Sequence, residues 1–308
     1  MQDFTHLWLA TQRELKHFAG MTELILPEKL IGVQQLRQSY DVLLCDVWGV
    51  IHNGINLFAG VEEALVKWRQ NGGHVVLLTN APRPATTVQK RLDSLGLSRE
   101  AYDDILSSGD AARDMLQERA AENQSCHFVG AGKDTDLVAG IDIEFTDVEK
   151  ADFILLTGME DDTIETPEDY ADAIKNWRQH NLTLICANPD RVVQIGDKVM
   201  YCAGALAEIY EQQGGRVIWL GKPYGPIYQT AAKRVARLSD CPKHRVLAIG
   251  DGHKTDIAGA NHAGYDVLYV TGGLAETLEN PPETPEQAAQ FLNQHDAFSR
   301  YFMKHLVW

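Results

Sequence analysis

Short apolar runs ending on a polar residue recur along this chain, and the stretches between them return an apolar residue every three or four positions. Residues 42–45 form one such run, which stops on Asp46 and breaks into a turn punctuated by Gly49 and Gly54. Residues 74–78 form a second, ending on Thr79-Asn80, and the prolines of Ala81-Pro82-Arg83-Pro84 forbid extending it. Runs of this kind predict strands buried on both faces, and the spacing between them predicts helices. Between the first two runs, Val61, Leu65 and Trp68 share one helical face, and Gly72-Gly73 ends that helix. The result is a β-α-β unit with Thr79 beside Asp46.

The alternation continues. Val88, Leu92 and Leu95 mark a helix closed by Gly96, and another begins near Ser108; residues 126–129, 153–156 and 182–187 read as strands. Thr166-Pro167-Glu168-Asp169 is a strong helix start, with Tyr170, Ile174 and Trp177 as its buried face. Residues 204–213 predict one more helix before Gly214-Gly215. The core pattern is then expected to resume with a strand over 217–220 that delivers Lys222, a helix from Pro226, and a strand over 246–250 that delivers Asp251. Residues 252–255 turn into a short helix over 256–263, and 266–270 is the expected last core strand. Residues 1–38 are expected to be helical with a break at Pro27, and the chain to close as a helix ending on Trp308. The whole is an α/β protein: a doubly wound parallel-sheet core over 1–83 and 216–308, with a second α/β unit over 84–215.

Composition narrows the partners. With 308 residues and 44% hydrophobic content, the chain suits two folded units. Its net charge of -15 argues against nucleic acid, which needs a basic surface, yet leaves small anionic substrates open. Five scattered cysteines without a C-x-x-C pair indicate neither a disulfide framework nor a zinc knuckle, so a reducing, cytoplasmic setting is expected. No run is long and apolar enough to predict a signal peptide or a membrane span.

Four predicted strands end in chemistry: Asp46, Thr79, Lys222 and Asp251. Two facing carboxylates repel unless a positive charge lies between them, which points to a hard divalent cation, Mg²⁺. With Asp46 as the candidate nucleophile, Lys222 would neutralise it and a phosphoryl oxygen, and the Thr79 hydroxyl would bind another. Weaker signals read as structural. Gly130-Ala131-Gly132-Lys133 lacks the pattern of a phosphate loop and reads as a turn, and Glu160-Asp161-Asp162 reads as a solvated loop. Cys45 packs in its strand, and His253 either meets substrate or fills its turn.

These residues resemble the haloacid dehalogenase-like phosphatase superfamily, whose four motifs match 46–50, 78–80, 221–223 and 250–256. The long interval between Thr79 and Lys222 has room for an inserted cap, as in the class IIA branch of NagD-like and 4-nitrophenylphosphatase-like enzymes. Residues 187–190 and 202–206 are similar to cap-side marks of that branch. The resemblance implies that Asp46 attacks phosphorus, that metal ligation falls to Asp46, the Trp48 carbonyl and Asp251, and that Asp256 holds a metal-bound water or orients Lys222. Thr79, Asn80 and Lys222 take the phosphate, and a small phosphorylated metabolite is the implied partner, with a homodimer through the cap as a further expectation. Asp190 ranks above His52 for contact with the substrate.

One residue departs from the pattern. Most phosphatases of the superfamily have a second aspartate where this chain has Trp48, and that carboxyl protonates the leaving alkoxide. An indole does not, so weak turnover of sugar phosphates is expected, with acyl, anhydride or aryl phosphates suffering less. A catalytically silent phosphate-binding or regulatory protein and, further off, a dehalogenase are the alternatives.

Overall fold

The computed structural model describes residues 24–195, 198–273 and 281–308. Its central element is a seven-stranded, wholly parallel sheet. The strands are β1 (Glu28–Lys29), β2 (Val42–Asp46), β3 (His74–Thr79), β4 (Asp104–Ser107), β12 (Val246–Gly250), β13 (Asp266–Val270) and β14 (Tyr301–Met303), in the order β1-β14-β13-β12-β2-β3-β4. From β2 the chain winds outward through β3 and β4 on one side, and later through β12, β13 and β14 on the other. Asp46 therefore ends the strand at which the winding reverses, where a crevice opens beyond the carboxyl ends of parallel strands.

The apolar runs fold as strands because both faces of this sheet are covered. Leu43 and Cys45 enter one apolar layer with Val61, Leu65 and Trp68 of α1 (Val61–Gln70), while Val42 and Leu44 enter the other with Ile227, Ala231 and Val235 of α6 (Gly225–Leu238). The helices α2 (Ala85–Ser94), α7 (Ala258–Ala263) and α8 (Pro285–Asn293) complete the two layers.

A second parallel sheet comprises β5 (Ser125–Val129), β6 (Glu144–Phe145), β7 (Phe153–Leu156), β8 (Thr183–Cys186) and β11 (Arg216–Trp219), in the order β11-β8-β7-β5-β6. It carries α3 (Ser108–Ala121), α4 (Ala171–Gln179) and α5 (Ala203–Gln212). Tyr170, Ile174 and Trp177 are buried as their spacing implied. The antiparallel hairpin β9 (Val192–Ile195) and β10 (Lys198–Tyr201) projects between β8 and α5.

Three expectations change. Residues 104–107, placed in the second unit by the sequence, pair with β3 and extend the core sheet to Ser107. The run 216–219, expected to resume the core, pairs with β8 in the second sheet, so Lys222 returns to the core through a loop rather than at the end of a core strand. Both sheets have the same β-α alternation, and periodicity does not say which sheet a strand joins. The third change is at the chain ends. Residues 301–303 form a strand, not a helix, with Tyr301 and Met303 buried on one face of the sheet and Phe302 on the other. The expected N-terminal helix lies largely outside the described residues, and within them Glu28–Lys29 pairs with β14.

Candidate active site

Asp46 ends β2, Thr79 ends β3 and Asp251 follows β12, and these three strands are neighbours. Asp256 lies on a helical turn, His253–Ile257, that packs back against β12. All four side chains are buried. Carboxylate oxygens of Asp46, Asp251 and Asp256 lie within 4.8 Å of one another. Such an all-oxygen anionic set suits a hard divalent cation.

Lys222 is the balancing charge within the protein. Its Nζ donates to Asp46 Oδ1 at 2.5 Å, to Asp256 Oδ1 at 2.6 Å and to the Leu78 carbonyl at 3.1 Å. Burial pulls its pKa down, but the carboxylates of Asp256, Asp46 and Asp190 outweigh burial and hold it well above the ordinary value, so it stays charged. Asp46 is pushed well above the usual carboxylate range, first by burial and then by Asp256, with Lys222 acting the other way. Cancelling the remaining negative charge with a cation is what would keep Asp46 ionised at neutral pH.

Backbone close approach shapes the pocket. Gly49 has φ +82°, and a side chain there would place Cβ 2.1 Å from Asp251 Oδ2. Only glycine satisfies both the left-handed conformation and the contact.

The side chain of Asn80 is engaged within the protein. Its Oδ1 accepts from the Lys222 amide at 2.7 Å, and its Nδ2 donates to the Lys222 carbonyl at 3.0 Å and to Asp190 Oδ1 at 2.9 Å. Both amide hydrogens are thus spent on protein, and Asn80 clamps the lysine loop and the 187–190 segment to the end of β3. Thr79 Oγ1 accepts from the Ala81 amide at 3.2 Å, leaving its hydroxyl hydrogen for another acceptor. The two sequence marks at 187–190 and 202–206 meet directly: the Gly204 amide donates to the Asp190 carbonyl at 3.0 Å, fixing the loop on the start of α5. Burial raises the Asp190 carboxyl, while Lys222 and the Asn80 hydrogen bond oppose it.

His52 is buried, and its Nδ1 accepts from the Gly54 amide at 3.0 Å. Burial, with Arg91 nearby, lowers its pKa to about 4, so the ring is neutral with its proton on Nε2. Trp48 meets it at 5.0 Å between ring centroids and 73° between planes. His253 packs on Phe291 and His295 and does not border the cavity described next. The Cys45 thiol is buried, donates to the Asp46 carbonyl and is pushed well above its ordinary pKa by burial, which leaves it inert.

Asp46, Trp48, Thr79, Asn80, Asp190 and Lys222 all border one cavity of about 770 Å³ between the core and the second unit. The sequence reading missed several of its walls. Arg83, after β3, pairs with the buried Asp134 at 3.1 Å, and Lys133 pairs with Asp162, so the supposed plain turn and solvated loop both border the cavity. The Arg-Pro after Thr79-Asn80 and the Gly-Ala-Gly-Lys turn were visible, but no sequence signal joins residues so far apart. The β9–β10 hairpin also forms a wall, and its exposed alternation had no strand signature strong enough to stand out.

Residues 43–144 match the family model of haloacid dehalogenase-like hydrolase, and residues 219–294 match a second, HAD-hydrolase-like model. A haloacid dehalogenase-like hydrolase from Brucella suis is 38% identical, covering 92% of this chain and 100% of its own, with a TM-score of 0.78. This chain belongs to the haloacid dehalogenase-like hydrolase family. The fold is shared with a possible sugar phosphatase from Cytophaga hutchinsonii, 19% identical over 91% of this chain and 99% of that one at a TM-score of 0.76. It is also shared with a 4-nitrophenylphosphatase from Thermotoga maritima, 19% identical over 88% and 96% at a TM-score of 0.65. No curated protein matches the chain. The class IIA resemblance read from the motifs thus agrees with the family and the fold. Among the described residues, no helix is long and apolar enough to cross a membrane.

Proposed function

We propose that this hydrolase is a Mg²⁺-dependent phosphohydrolase acting on a small phosphorylated metabolite, with Asp46 as nucleophile. The observation that carries the reading is the buried cluster of Asp46, Asp251 and Asp256, with Lys222 paired to the first and third, bordering a cavity sized for a metabolite. Asp46, Asp251, Asp256 and the Trp48 backbone carbonyl would hold the cation or its water. When bound, it supplies positive charge to the carboxylates and to the phosphoryl oxygens.

An Asp46 carboxylate oxygen forms the new bond to phosphorus as the bond to the leaving oxygen breaks, its electron pair departing with that oxygen. Lys222 offsets charge on Asp46 and on the transferring group, and the Thr79 hydroxyl donates to a phosphoryl oxygen. Water then attacks phosphorus, inorganic phosphate leaves and the Asp46 carboxylate is restored. Asp190, held by Asn80 at the cavity wall, contacts the substrate on the leaving-group side. The second unit acts as a cap that selects substrate and excludes water.

Trp48 offers no proton, and neutral His52 is not poised as an acid at pH 7. Leaving groups that depart without protonation are therefore favoured. Phosphate release from acetyl phosphate, 4-nitrophenyl phosphate and a panel of sugar phosphates, with Mg²⁺ and with chelator, tests this. Turnover of the first two is expected to exceed the sugar phosphates by at least about 10²-fold, the lower end of general-acid contributions, and to vanish with chelator. Absence of metal-dependent release from every ester, with phosphate ligands still bound, would instead indicate a silent binding protein, which Trp48 also suits. Chloride release from a 2-haloacid would indicate a dehalogenase.

A further inference from the structure

We infer that the cavity is built to hold a second anion: the leaving group of the substrate carries a free carboxylate a few bonds from the scissile oxygen, and Arg83 together with Lys133 binds it. The inference rests on the phosphohydrolase reading and names a feature of the substrate for the same site.

The first observation is the way Arg83 is held. It comes just after Thr79-Asn80, between Pro82 and Pro84, which restrict the backbone on both sides. Its carbonyl accepts from the Ser107 hydroxyl at 2.7 Å, and its backbone lies so close to Gly109 that a Cβ there would come within 2.3 Å of the Arg83 nitrogen. The base of the side chain is therefore fixed. Its Nη2 donates to Asp134 Oδ1 at 3.1 Å, and among the described residues the guanidinium meets no further acceptor, so most of its N–H donors are left for a ligand.

The second observation is the order of burial in the two ion pairs of the wall. In Arg83–Asp134 the cationic side chain is 31% exposed and the acid 4%, and in Lys133–Asp162 the values are 48% and 22%. All four residues border the cavity. In each pair the acid lies behind and the cation in front, so donors rather than carboxylates meet what enters. Arg83 and Lys133 both act against the rise that burial causes in the Asp134 pKa, which sets the two cations about one carboxylate, Arg83 from the core and Lys133 from the second unit. Because the acids behind already balance their charge, the cations offer directed donors with little spare positive charge. That suits a planar, singly charged carboxylate, whose shape matches the guanidinium edge, better than a second phosphate dianion.

The test reads recognition of the carboxylate apart from turnover. Dissociation constants of phosphonoacetate, 3-phosphonopropionate and 4-phosphonobutyrate, none of which is hydrolysed, are measured by calorimetry on the full chain with Mg²⁺, each beside its uncharged carboxamide. At least one acid is expected to bind about 5- to 10-fold more tightly than its amide, the margin of a charged over a neutral hydrogen bond. Arg83→Gln is expected to bring that ratio to near one, and Lys133→Gln to lower it. Acids that bind no more tightly than their amides in the unaltered protein overturn the inference, whether or not either variant folds. A preference for the acid that survives both substitutions also overturns it, since the carboxylate then rests on the metal or on Lys222. So does an equal fall in the affinity of acid and amide, the result expected if Arg83 only ties the two units together. Acetyl phosphate turnover, measured in parallel on the unaltered protein, reports on the phosphohydrolase reading alone because acetyl phosphate carries no second anion.

Discussion

The chemistry turns on two positions in one strand-turn, Asp46 and Trp48. Asp46 was readable because a buried apolar run ending on a carboxylate is costly unless the charge is balanced, and Lys222 at 2.5 Å is a balance of the expected kind. Trp48 was readable only as a departure, since the sequence shows what it cannot do and not what it touches. Its contact with His52, and the neutral state of that histidine, needed the folded turn. Trp48→Asp restores a carboxyl at the position of the missing acid. Its expected effect is a rise of about 10²-fold or more in kcat for alkyl phosphates with little change for acetyl phosphate. Steady-state kinetics on the two substrate types checks this, and an unchanged alkyl rate would mean that the indole has a part of its own in catalysis.

At the scale of elements, most strands and helices were legible because continuous apolar runs, helical spacing and glycine or proline stops agreed with one another over most of the chain. What was not legible was membership. β4 was not read as a strand and β11 was read as a core strand, and only pairing assigns the first to the core sheet and the second to the inserted one. This matters for function, because Lys222 then reaches Asp46 from the inserted sheet, and something must hold its loop to the core. Asn80 does so with three hydrogen bonds, two to the Lys222 backbone and one to Asp190. The Ser108 hydroxyl adds a bond to the Leu220 carbonyl just before the loop. Asn80→Ala leaves the buried Lys222 amide without its partner, which costs about 1–3 kcal/mol. If Asn80 serves as a clamp, kcat falls about 5- to 150-fold, the same energy expressed as a rate, while the Mg²⁺ concentration for half-maximal activity stays put. A shift in metal affinity without a loss of kcat would contradict the clamp.

For the whole molecule, the acidic balance and the two-sheet organisation followed from composition and alternation, whereas the cavity between the units did not. Its walls come from residues 46–58, 79–92, 133–162 and 188–202 together with Lys222, 251–256 and 272–273, and no local pattern announces that these segments meet. Burial also sets part of the response to pH. His52 and His253 are each lowered to about 4 from an ordinary 6.5, chiefly by burial. A depressed histidine pKa favours the fold while the ring stays neutral. That contribution is full above pH 6.5 and is lost as pH falls towards 4, because the unfolded chain binds the proton first. In urea unfolding, His253→Phe, which keeps a ring against Phe291, is therefore expected to lose less stability than the unaltered protein between pH 6.5 and pH 4. Parallel pH profiles would contradict the assignment.

The central claim is that Asp46 attacks phosphorus in a cation-loaded carboxylate site, and one comparison reaches it directly: phosphate release from acetyl phosphate by the unaltered protein and by Asp46→Asn, both saturated with Mg²⁺. The account predicts steady release from the unaltered protein and none above background from the variant, since the amide is no nucleophile and a phosphorylated intermediate has nowhere to form. Release by Asp46→Asn at a rate comparable to the unaltered protein would contradict it.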